Sequence, residues 1–428
     1  MNRELLYIGV DLGTRGCRAV AITHAGRILH TVRRELPAPE RHGDRSEQDP
    51  HLWWQAVRTL VAELARVTAP CPIAALAVDG TSPTTLLCDS ELRPLAPALM
   101  YDDRRSRQEA ERIAASAPPD SATRAATSSL AKALHLYRAH PAAAYVLHQA
   151  DWIAGRLTGR GGISDEHNAL KLGYDPEAQR WPEWVTALLP SRLLPQVVRP
   201  GTDIGPIRED VRRELGLPPG VRVVSGTTDS TAAFLATGAR DAGDAVTSLG
   251  STLVVKVLAP RPVFAAEYGV YSHPVGDLWL VGGGSNTGGA VLLRYFTRDR
   301  LEELSTQLRP TVPTGLAYYP LCGPGERFPV NDPDYSPRLV PRPDDPVLFL
   351  QALLEGMARI EADGYRLLQR LGAPYPHSVR SAGGGAANHA WTAIRARLLG
   401  VPMLTPEHTE AAYGAALLAR GGATRRLC

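Results

Sequence analysis

Lysine is nearly absent from this chain of 428 residues: among 47 basic residues the only lysines are Lys132, Lys171 and Lys256. None of them follows the glycines of a G-x-x-x-x-G-K-[ST] segment, and none stands in a V-A-I-K segment. These absences exclude a Walker-type P-loop and the phosphate-binding lysine of protein kinases. If the protein binds a nucleotide, it must hold the phosphates in another way.

Other common signals are missing as well. The five cysteines form no C-x-x-C pair and the twelve histidines no H-E-x-x-H segment, which argues against a disulfide framework and a transition-metal site. The N-terminus lacks the apolar core of a signal peptide, and no run of ~18 apolar residues occurs, so we expect a cytoplasmic protein without a membrane partner. The 47 basic and 44 acidic residues nearly balance at a net charge of +3, so we expect no nucleic-acid partner.

The length predicts two or three domains, and the mixture of strands and helices predicts α/β layered domains. A β-meander is expected over residues 5–33, and a helix over 49–68 that begins at Asp49-Pro50. The segment 90–217 is predicted to be helical, and further helices are expected over 347–371 and 407–420. We place the domain boundary at the small-residue connector 238–243.

Two short hairpins share one pattern. Asp11-Leu12-Gly13-Thr14 and Leu249-Gly250-Ser251-Thr252 each lie between two predicted strands. Backbone N–H groups in such glycine turns can bind phosphate oxygens, and an aspartate at the strand end can hold Mg²⁺. An ordinary β-hairpin with turn-favouring residues is the alternative. The second copy favours a nucleotide site with one turn from each half of the chain.

Asp229 follows the predicted strand 221–225 and is surrounded by small residues. An aspartate at a strand end suits a general base that accepts a proton from a hydroxyl nucleophile. An N-cap of the following helix is the alternative, and spacing alone favours the cap. The glycines 383–385, between a strand and a helix, permit close approach to a flat ligand such as adenine, or form a simple turn.

Two polar segments are candidates for binding a polyol. Asp79-Gly80-Thr81-Ser82 ends a predicted buried strand, and its side chains can bind hydroxyl groups; an ordinary turn is the alternative. Asp102-Asp103-Arg104-Arg105 can make charge-assisted hydrogen bonds to a sugar; a solvated charged surface is the alternative.

Taken in order, these motifs resemble the FGGY carbohydrate kinases, which share the fold of actin and the heat-shock chaperone ATPases. The segments that carry the resemblance are YIGVDLGTRGCRAV (7–20), LMYDDRRS (99–106), SGTTDSTAA (225–233), VTSLGSTLVV (246–255), GPGERFPVNDP (323–333), VRSAGGGAANHAW (379–391) and EAAYGAALLA (410–419). The resemblance implies two ribonuclease-H-like α/β domains around a central cleft. It implies a sugar-binding domain over 1–237, an ATP-binding domain over 238–405, and a closing helix within 406–428 that packs on the first domain.

The resemblance also implies a role for each motif. Asp229 would be the catalytic base, and Asp11 and Asp229 would hold Mg²⁺. The residues implied to bind ATP are Asp11, Gly13, Thr14, Arg15, Gly250, Ser251, Thr252, Gly383, Gly384, Gly385 and Asn388. Those implied to bind the sugar are Asp11, Asp79, Gly80, Thr81, Ser82, Asp103, Arg105 and Asp229.

The expected substrate is a ketopentose. The chain is shorter than typical members, and its segment 78–82 is closer to ribulose-type members and to the short xylulokinase-like group of cyanobacteria and plant plastids. We therefore expect D-ribulose first and D-xylulose second, phosphorylated by a monomer or homodimer. The alternative is a sugar- or nucleotide-sensing clamp that hydrolyses ATP without producing a sugar phosphate.

Overall fold

The computed structural model describes residues 4–424. Their contacts divide them into two compact units. Unit 1 comprises the residues up to Ala236 together with those from Glu410 onward, and unit 2 comprises Thr237–Thr409. Unit 2 is therefore a continuous stretch of chain, whereas unit 1 is built from two separate stretches.

Unit 1 is a layered α/β structure. Its strands are β1 (Leu6–Leu12), β2 (Gly16–Thr23), β3 (Ile28–Glu35), β4 (Glu40–His42), β5 (Arg45–Gln48), β6 (Ile73–Gly80), β7 (Thr85–Cys88), β8 (Ala98–Leu99), β9 (Tyr145–His148), β10 (Ile163–Asp165), β11 (Gln196–Val198), β12 (Asp203–Pro206) and β13 (Arg222–Thr228). Its helices are α1 (Pro50–Thr68), α2 (Arg107–Ala114), α3 (Ser129–Ala139), α4 (Gln149–Thr158), α5 (Glu166–Ala169), α6 (Glu183–Leu188), α7 (Glu209–Glu214), α8 (Asp229–Ala236) and, from the distal part of the chain, α13 (Ala411–Thr424).

Unit 2 is also a layered α/β structure, built around one six-stranded sheet. Its strands are β14 (Asp244–Leu249), β15 (Leu253–Ala259), β16 (Tyr271–Val275), β17 (Leu278–Ser285), β18 (Ser378–Ala382) and β19 (Met403–Leu404). Its helices are α9 (Gly289–Leu292), α10 (Arg298–Ser305), α11 (Pro346–Arg370) and α12 (His389–Leu399).

The central sheets of the two units have corresponding orders. In unit 1 the order is β12-β13-β6-β1-β2-β3, with β1, β6 and β13 parallel. In unit 2 it is β16-β17-β15-β14-β18-β19, with β14, β18 and β19 parallel. In each unit the first strand thus forms an antiparallel hairpin with the second on one side and a parallel pair on the other. The predicted two-domain α/β fold is confirmed.

Local sequence explains the helix that packs on the unit 1 meander. Asp49 is the N-cap of α1, its side chain accepts a hydrogen bond from the N–H of His51, and Pro50 opens the first turn. Trp53, Val57 and other apolar residues at helical spacing are buried against the sheet. The predicted helix over 49–68 is confirmed, as is the meander β1-β2-β3.

Two of the predicted elements are wrong in extent. Segment 90–217 is not simply helical, because the short strands β8 to β12 alternate with its helices. These strands are too short to show a strand period in the sequence. The closing helix begins at Ala411 rather than at residue 407, since Glu407 lies in a bend and its N–H donates to the carbonyl of Thr237.

Helix α13 covers the middle of the central sheet of unit 1. A Cβ on Gly9 of β1 would lie 2.0 Å from the carbonyl oxygen of Ala412 and 2.2 Å from the nitrogen of Ala416. A Cβ on Gly414 would similarly lie 1.9 Å from the carbonyl oxygen of Ala232 in α8. Glycines at these positions let the backbones meet.

Among the helices described here, none has both the length and the apolar character that a membrane span requires.

Candidate active site

Three aspartates lie at the carboxyl ends of adjacent parallel strands in unit 1. Asp11 of β1 is the direct partner of Asp79 in β6, and Asp79 is in turn the partner of Thr227 in β13, two residues before Asp229. Gly226 makes this register possible, because a Cβ there would lie 1.7 Å from the carbonyl oxygen of Val78. Ligands of open α/β sheets bind outside the carboxyl ends of the strands.

Asp79 is the most deeply buried of the three. Its side chain is fully buried, and neither carboxylate oxygen accepts a hydrogen bond from an N–H or hydroxyl group of the described residues. Burial, followed by the nearby charges of Asp11 and Asp229, raises its pKa well above the usual range. A carboxyl–carboxyl hydrogen bond with Asp11 is open to it. Burial beside two other carboxylates thus favours the protonated form of Asp79, which can donate a hydrogen bond.

Asp11 lies beside it in a less enclosed position. Burial raises the pKa of Asp11, while the contact with Asp79 and the charge of Arg18 oppose this shift. Arg18 is the direct partner of Asp11 across the β1–β2 hairpin and forms an ion pair with Glu410. Of these two aspartates, Asp79 thus has the pKa that burial raises well above the usual range, and Asp11 lies close to a guanidinium.

Asp229 is the first residue of α8 rather than its N-cap. The hydroxyl of Thr228 lies 3.4 Å from the N–H of Thr231, where an N-cap side chain belongs. The Oδ1 of Asp229 accepts a hydrogen bond of 2.6 Å from the N–H of Ser230, and the side chain is half-buried. The capping alternative is thereby assigned to Thr228.

The loop after β6 is held by a residue that sequence reasoning missed. The Oε1 of Gln149, the first residue of α4, accepts hydrogen bonds from the N–H and the hydroxyl of Thr81, at 2.9 and 3.0 Å. A Cβ on Gly80 would lie 3.0 Å from the same Oε1. The Oγ of Ser82 is buried without a partner among the described residues. No local motif marks Gln149, because it is 68 residues from Thr81.

Lys132 also stabilises the loop after β6. Its ammonium group donates to the carbonyl oxygen of Pro83 at 3.0 Å and to that of Met100 at 2.6 Å. Its side chain is fully buried, and burial lowers its pKa to about 7. Lys132 thus ties the loop after β6 to the chain that follows β8.

Asp103 and Arg105 contact each other rather than lying free. The fully buried carboxylate of Asp103 accepts from the N–H of Ser46 at 2.7 Å and from the Arg105 guanidinium, also at 2.7 Å. Arg105 also pairs with Glu47 at 2.6 Å. These contacts hold the chain after β8 against β5. A contact of Asp103 or Arg105 with a sugar stays a prediction.

The two predicted phosphate turns occupy the same place in their sheets, between the first and second strands. In unit 1 the N–H of Gly13 donates to the carbonyl oxygen of Gly16 at 2.9 Å, and the turn leaves Thr14 half-buried and Arg15 exposed. In unit 2 the N–H of Gly250 donates to the carbonyl oxygen of Thr252 at 3.2 Å, and Ser251 and Thr252 are exposed.

Unit 2 has a pocket of about 640 Å³ beside its turn. Gly250 and Ser251 line it together with Gly384, Gly385 and Asn388. Apolar side chains, including those of Leu292, Leu293, Leu301 and Trp391, line it as well. An apolar pocket with a few backbone and polar groups suits a flat heterocycle such as adenine.

The glycine triplet packs closely against the turn that follows β14. Gly383 has a φ of +81°, and a Cβ there would lie 2.8 Å from the carbonyl oxygen of Leu249. A Cβ on Gly385 would lie 2.5 Å from the Cζ3 atom of Trp391. Asn388 is the N-cap of α12, accepting from the N–H of Trp391 at 2.9 Å and donating to Ser305 at 2.8 Å. Gly383 and Gly385 are thus closely packed, whereas a Cβ on Gly384 would meet nothing within 4 Å.

The family of this chain follows from comparison with known proteins. The N-terminal domain of the FGGY family of carbohydrate kinases matches residues 6–236, and the C-terminal domain of that family matches residues 245–421. The chain belongs to the FGGY family of carbohydrate kinases. It is a sugar kinase, a phosphotransferase that uses ATP.

Individual relatives are similar over nearly their whole length. A xylulose kinase of Klebsiella pneumoniae is 27% identical over 97% of this chain and 89% of its own length. The crystal structure of a xyloylose kinase from Brucella ovis, 27% identical, has a TM-score of 0.88 and covers 98% of this chain and 91% of that chain. A gluconate kinase from Lactobacillus acidophilus has a TM-score of 0.87 at 19% identity, covering 99% of this chain and 90% of that chain. The last likeness shows the fold alone.

A buried network connects the helices and strands of unit 2. The Arg395 guanidinium of α12 pairs with Glu361 of α11 through two hydrogen bonds of 2.6 and 2.7 Å, and both side chains are fully buried. Glu361 also accepts from the hydroxyl of Thr247 in β14, and Arg395 donates to Ser381 in β18, both at 2.5 Å. The network joins both helices to the strands that carry the turn and the triplet.

Few protein side chains are available as ligands for Mg²⁺. No group of three or more His, Cys, Asp or Glu side chains between residues 4 and 424 is arranged to hold a metal. Mg²⁺ in phosphotransferases is commonly held by one or two carboxylates together with substrate phosphates and water. Asp11 and Asp229, as two carboxylates at one sheet edge, fit that smaller requirement.

Proposed function

We propose that this kinase transfers the γ-phosphoryl group of ATP to a hydroxyl group of a pentulose, with Asp229 as the general base. The observation that carries the proposal is the strand register that places Asp11, Asp79 and Asp229 at one sheet edge. Their environments are unequal, since Asp79 is fully buried with a raised pKa and Asp229 is half-buried, which suits one hydrogen-bond donor and one base.

In the proposed reaction the Asp229 carboxylate accepts the proton of the sugar hydroxyl. The hydroxyl oxygen forms a bond to the γ-phosphorus as the bond to the bridging oxygen of ADP breaks. The proton then leaves Asp229 for water. Asp11 and Asp229 would hold Mg²⁺, which, when bound, neutralises charge on the phosphate groups. Neutral Asp79, together with the loop of Gly80, Thr81 and Ser82, would bind sugar hydroxyls.

The proposed sites for ATP are the two turns and the glycine triplet. Backbone N–H groups of Gly13, Thr14 and Arg15, and of Gly250, Ser251 and Thr252, would bind phosphate oxygens. The pocket at Gly383, Gly384, Gly385 and Asn388 would bind adenosine. Backbone groups and a metal ion would thus perform the role that a lysine has in other kinases.

For the sugar we propose D-ribulose first and D-xylulose second. The segment from Asp79 to Ser82 supports D-ribulose, through its resemblance to ribulose-type members. Relatives named xylulose kinases support D-xylulose. Kinetic constants for both sugars, measured with one enzyme preparation, decide the order.

The test couples ADP release to an optical assay, with each sugar and without sugar. We expect sugar-dependent turnover that falls by about 10²–10⁴-fold in Asp229→Asn, because the base is lost. Asp210→Asn is the matched control, since Asp210 lies in the first turn of α7 and is exposed; it should keep full turnover. Full turnover in Asp229→Asn would refute the base assignment. ATP hydrolysis independent of sugar, with no sugar phosphate in the mass spectrum, would support the sensing clamp instead.

A further inference from the structure

Gln149 presents a hydrogen-bonding group that the protein leaves unused. Its amide oxygen accepts two hydrogen bonds from Thr81, but its Nε2 group has no partner among the described residues. The whole side chain is buried. Buried amide N–H groups in folded proteins nearly always have an acceptor.

The neighbouring groups on the loop are also incomplete. Both oxygens of Asp79 lack an N–H or hydroxyl donor, and the Oγ of Ser82 lacks a partner as well, within the described part of the chain. Gln149 packs directly on Gly80, the residue between Asp79 and Thr81. Unsatisfied donors and acceptors are therefore gathered around one short segment at the end of β6. A ligand with several hydroxyl groups, each both donor and acceptor, matches such a set.

We infer that Gln149 is a specificity-determining residue whose Nε2 group donates a hydrogen bond to one hydroxyl oxygen of the sugar. This inference rests on the proposed function, whose sugar site it extends to α4. The amide oxygen holds the loop through Thr81, and the same planar amide presents its nitrogen to the ligand. A purely structural glutamine would account for the two bonds to Thr81 but not for the unpaired Nε2.

Substitution of Gln149 with glutamate separates the role of the amide oxygen from the role of the amide nitrogen. Gln149→Glu keeps an acceptor for Thr81 and nearly the same shape, but it replaces the Nε2 group and its two N–H donors with a carboxyl oxygen. Gln351→Glu is the matched control, because Gln351 is also buried and its Nε2 is already bonded to the carbonyl oxygens of Arg309 and Val312. Gln149→Met removes both functions and reports on the loop contact.

The measurements are KM for D-ribulose and D-xylulose, KM for ATP, and sugar binding without ATP by titration calorimetry. For Gln149→Glu we expect the sugar KM and the sugar Kd to rise about tenfold or more, with KM for ATP unchanged, as one hydrogen bond is lost. Gln351→Glu should leave the sugar KM unchanged. We also expect a difference with a panel of pentuloses that each lack one hydroxyl group. The wild type should bind one of these analogues much more weakly than the parent sugar, whereas Gln149→Glu should bind that analogue and the parent sugar equally.

Equal sugar constants in the wild type and Gln149→Glu would overturn the inference, and so would losses spread evenly over all the deoxy analogues. Sugar binding without turnover in the wild type would refute the proposed kinase reaction while the titration still tests Gln149. A wild type that binds no pentulose would overturn both. If Gln149→Met unfolds, Gln149→Glu alone decides, provided that its melting temperature matches that of the control.

Discussion

Replacing Asp79 with asparagine should stabilise the protein at neutral pH, although the residue belongs to the proposed sugar site. The carboxyl group is fully buried and lies near the charges of Asp11 and Asp229, so the folded protein keeps it protonated well above the usual range. The unfolded chain ionises the same group near pH ~3.9. An asparagine has similar size, can donate to Asp11, and carries no proton to lose.

The size of the effect follows from proton linkage. Above the unfolded pKa and below the folded one, the folded state binds one more proton than the unfolded state at this residue, so stability falls as the pH rises. The loss is about 1.4 kcal/mol per pH unit. Relative to Asp79→Asn, the wild type should therefore lose stability at up to this rate from about pH 5 upward, as far as the folded pKa. Above the folded pKa the difference should level off.

Urea unfolding at half-unit steps from pH 4.5 to pH 8, followed by tryptophan fluorescence, measures this difference directly. Asp120→Asn is the control, because Asp120 is exposed between α2 and α3. Its substitution should shift the free energy of unfolding by the same small amount at every pH. A constant difference between wild type and Asp79→Asn across the range would show that Asp79 is ionised in the folded protein, and the account of a neutral acid would be wrong.

Three further changes test other parts of the structure. Gly383→Ala should raise KM for ATP at least about tenfold, because the added Cβ meets backbone at a positive φ. Gly323→Ala, outside the pocket and with nothing within 4 Å of the added Cβ, should change it little. Glu361→Gln should cost about 3–5 kcal/mol in urea unfolding because it leaves a buried guanidinium unpaired; Glu303→Gln, which breaks an exposed ion pair, should cost less than about 1 kcal/mol. Between about pH 7 and ~10 the lysine is charged in the unfolded chain and neutral in the folded protein, so the free energy of unfolding of the wild type should rise by about 1.4 kcal/mol per pH unit. Lys132→Met should lack this rise. Parallel pH curves for the two proteins would contradict this account.

The sequence predicted the elements of the site better than their assembly. Asp11, Asp79 and Asp229 could each be placed at a strand end, because apolar runs mark the strands and a glycine lies within three residues of each aspartate. Their meeting at one edge depends on the register of β1, β6 and β13, which pairs residues far apart in the chain. Gln149 could not be found at all, since its contact with Thr81 leaves no local pattern.

Two identical triplets show why short motifs are ambiguous. Gly282–284 lies inside β17, where a Cβ on Gly283 would lie 2.5 Å from the ring of Phe328. The triplet that begins at Gly383 is a turn with positive φ against β14. Glycine permits both uses, and only the tertiary neighbours distinguish them.

The split construction of unit 1 has a consequence for biosynthesis. Strand β1 precedes unit 2 in the chain, but α13, whose backbone fits against Gly9, emerges from the ribosome only after all of unit 2 has been translated. The continuous unit 2 can therefore complete its sheet first. Until α13 is made, one face of the central sheet of unit 1 lacks the helix that covers it. A circularly permuted gene that joins α13 ahead of β1 would supply both parts of unit 1 before unit 2 is made.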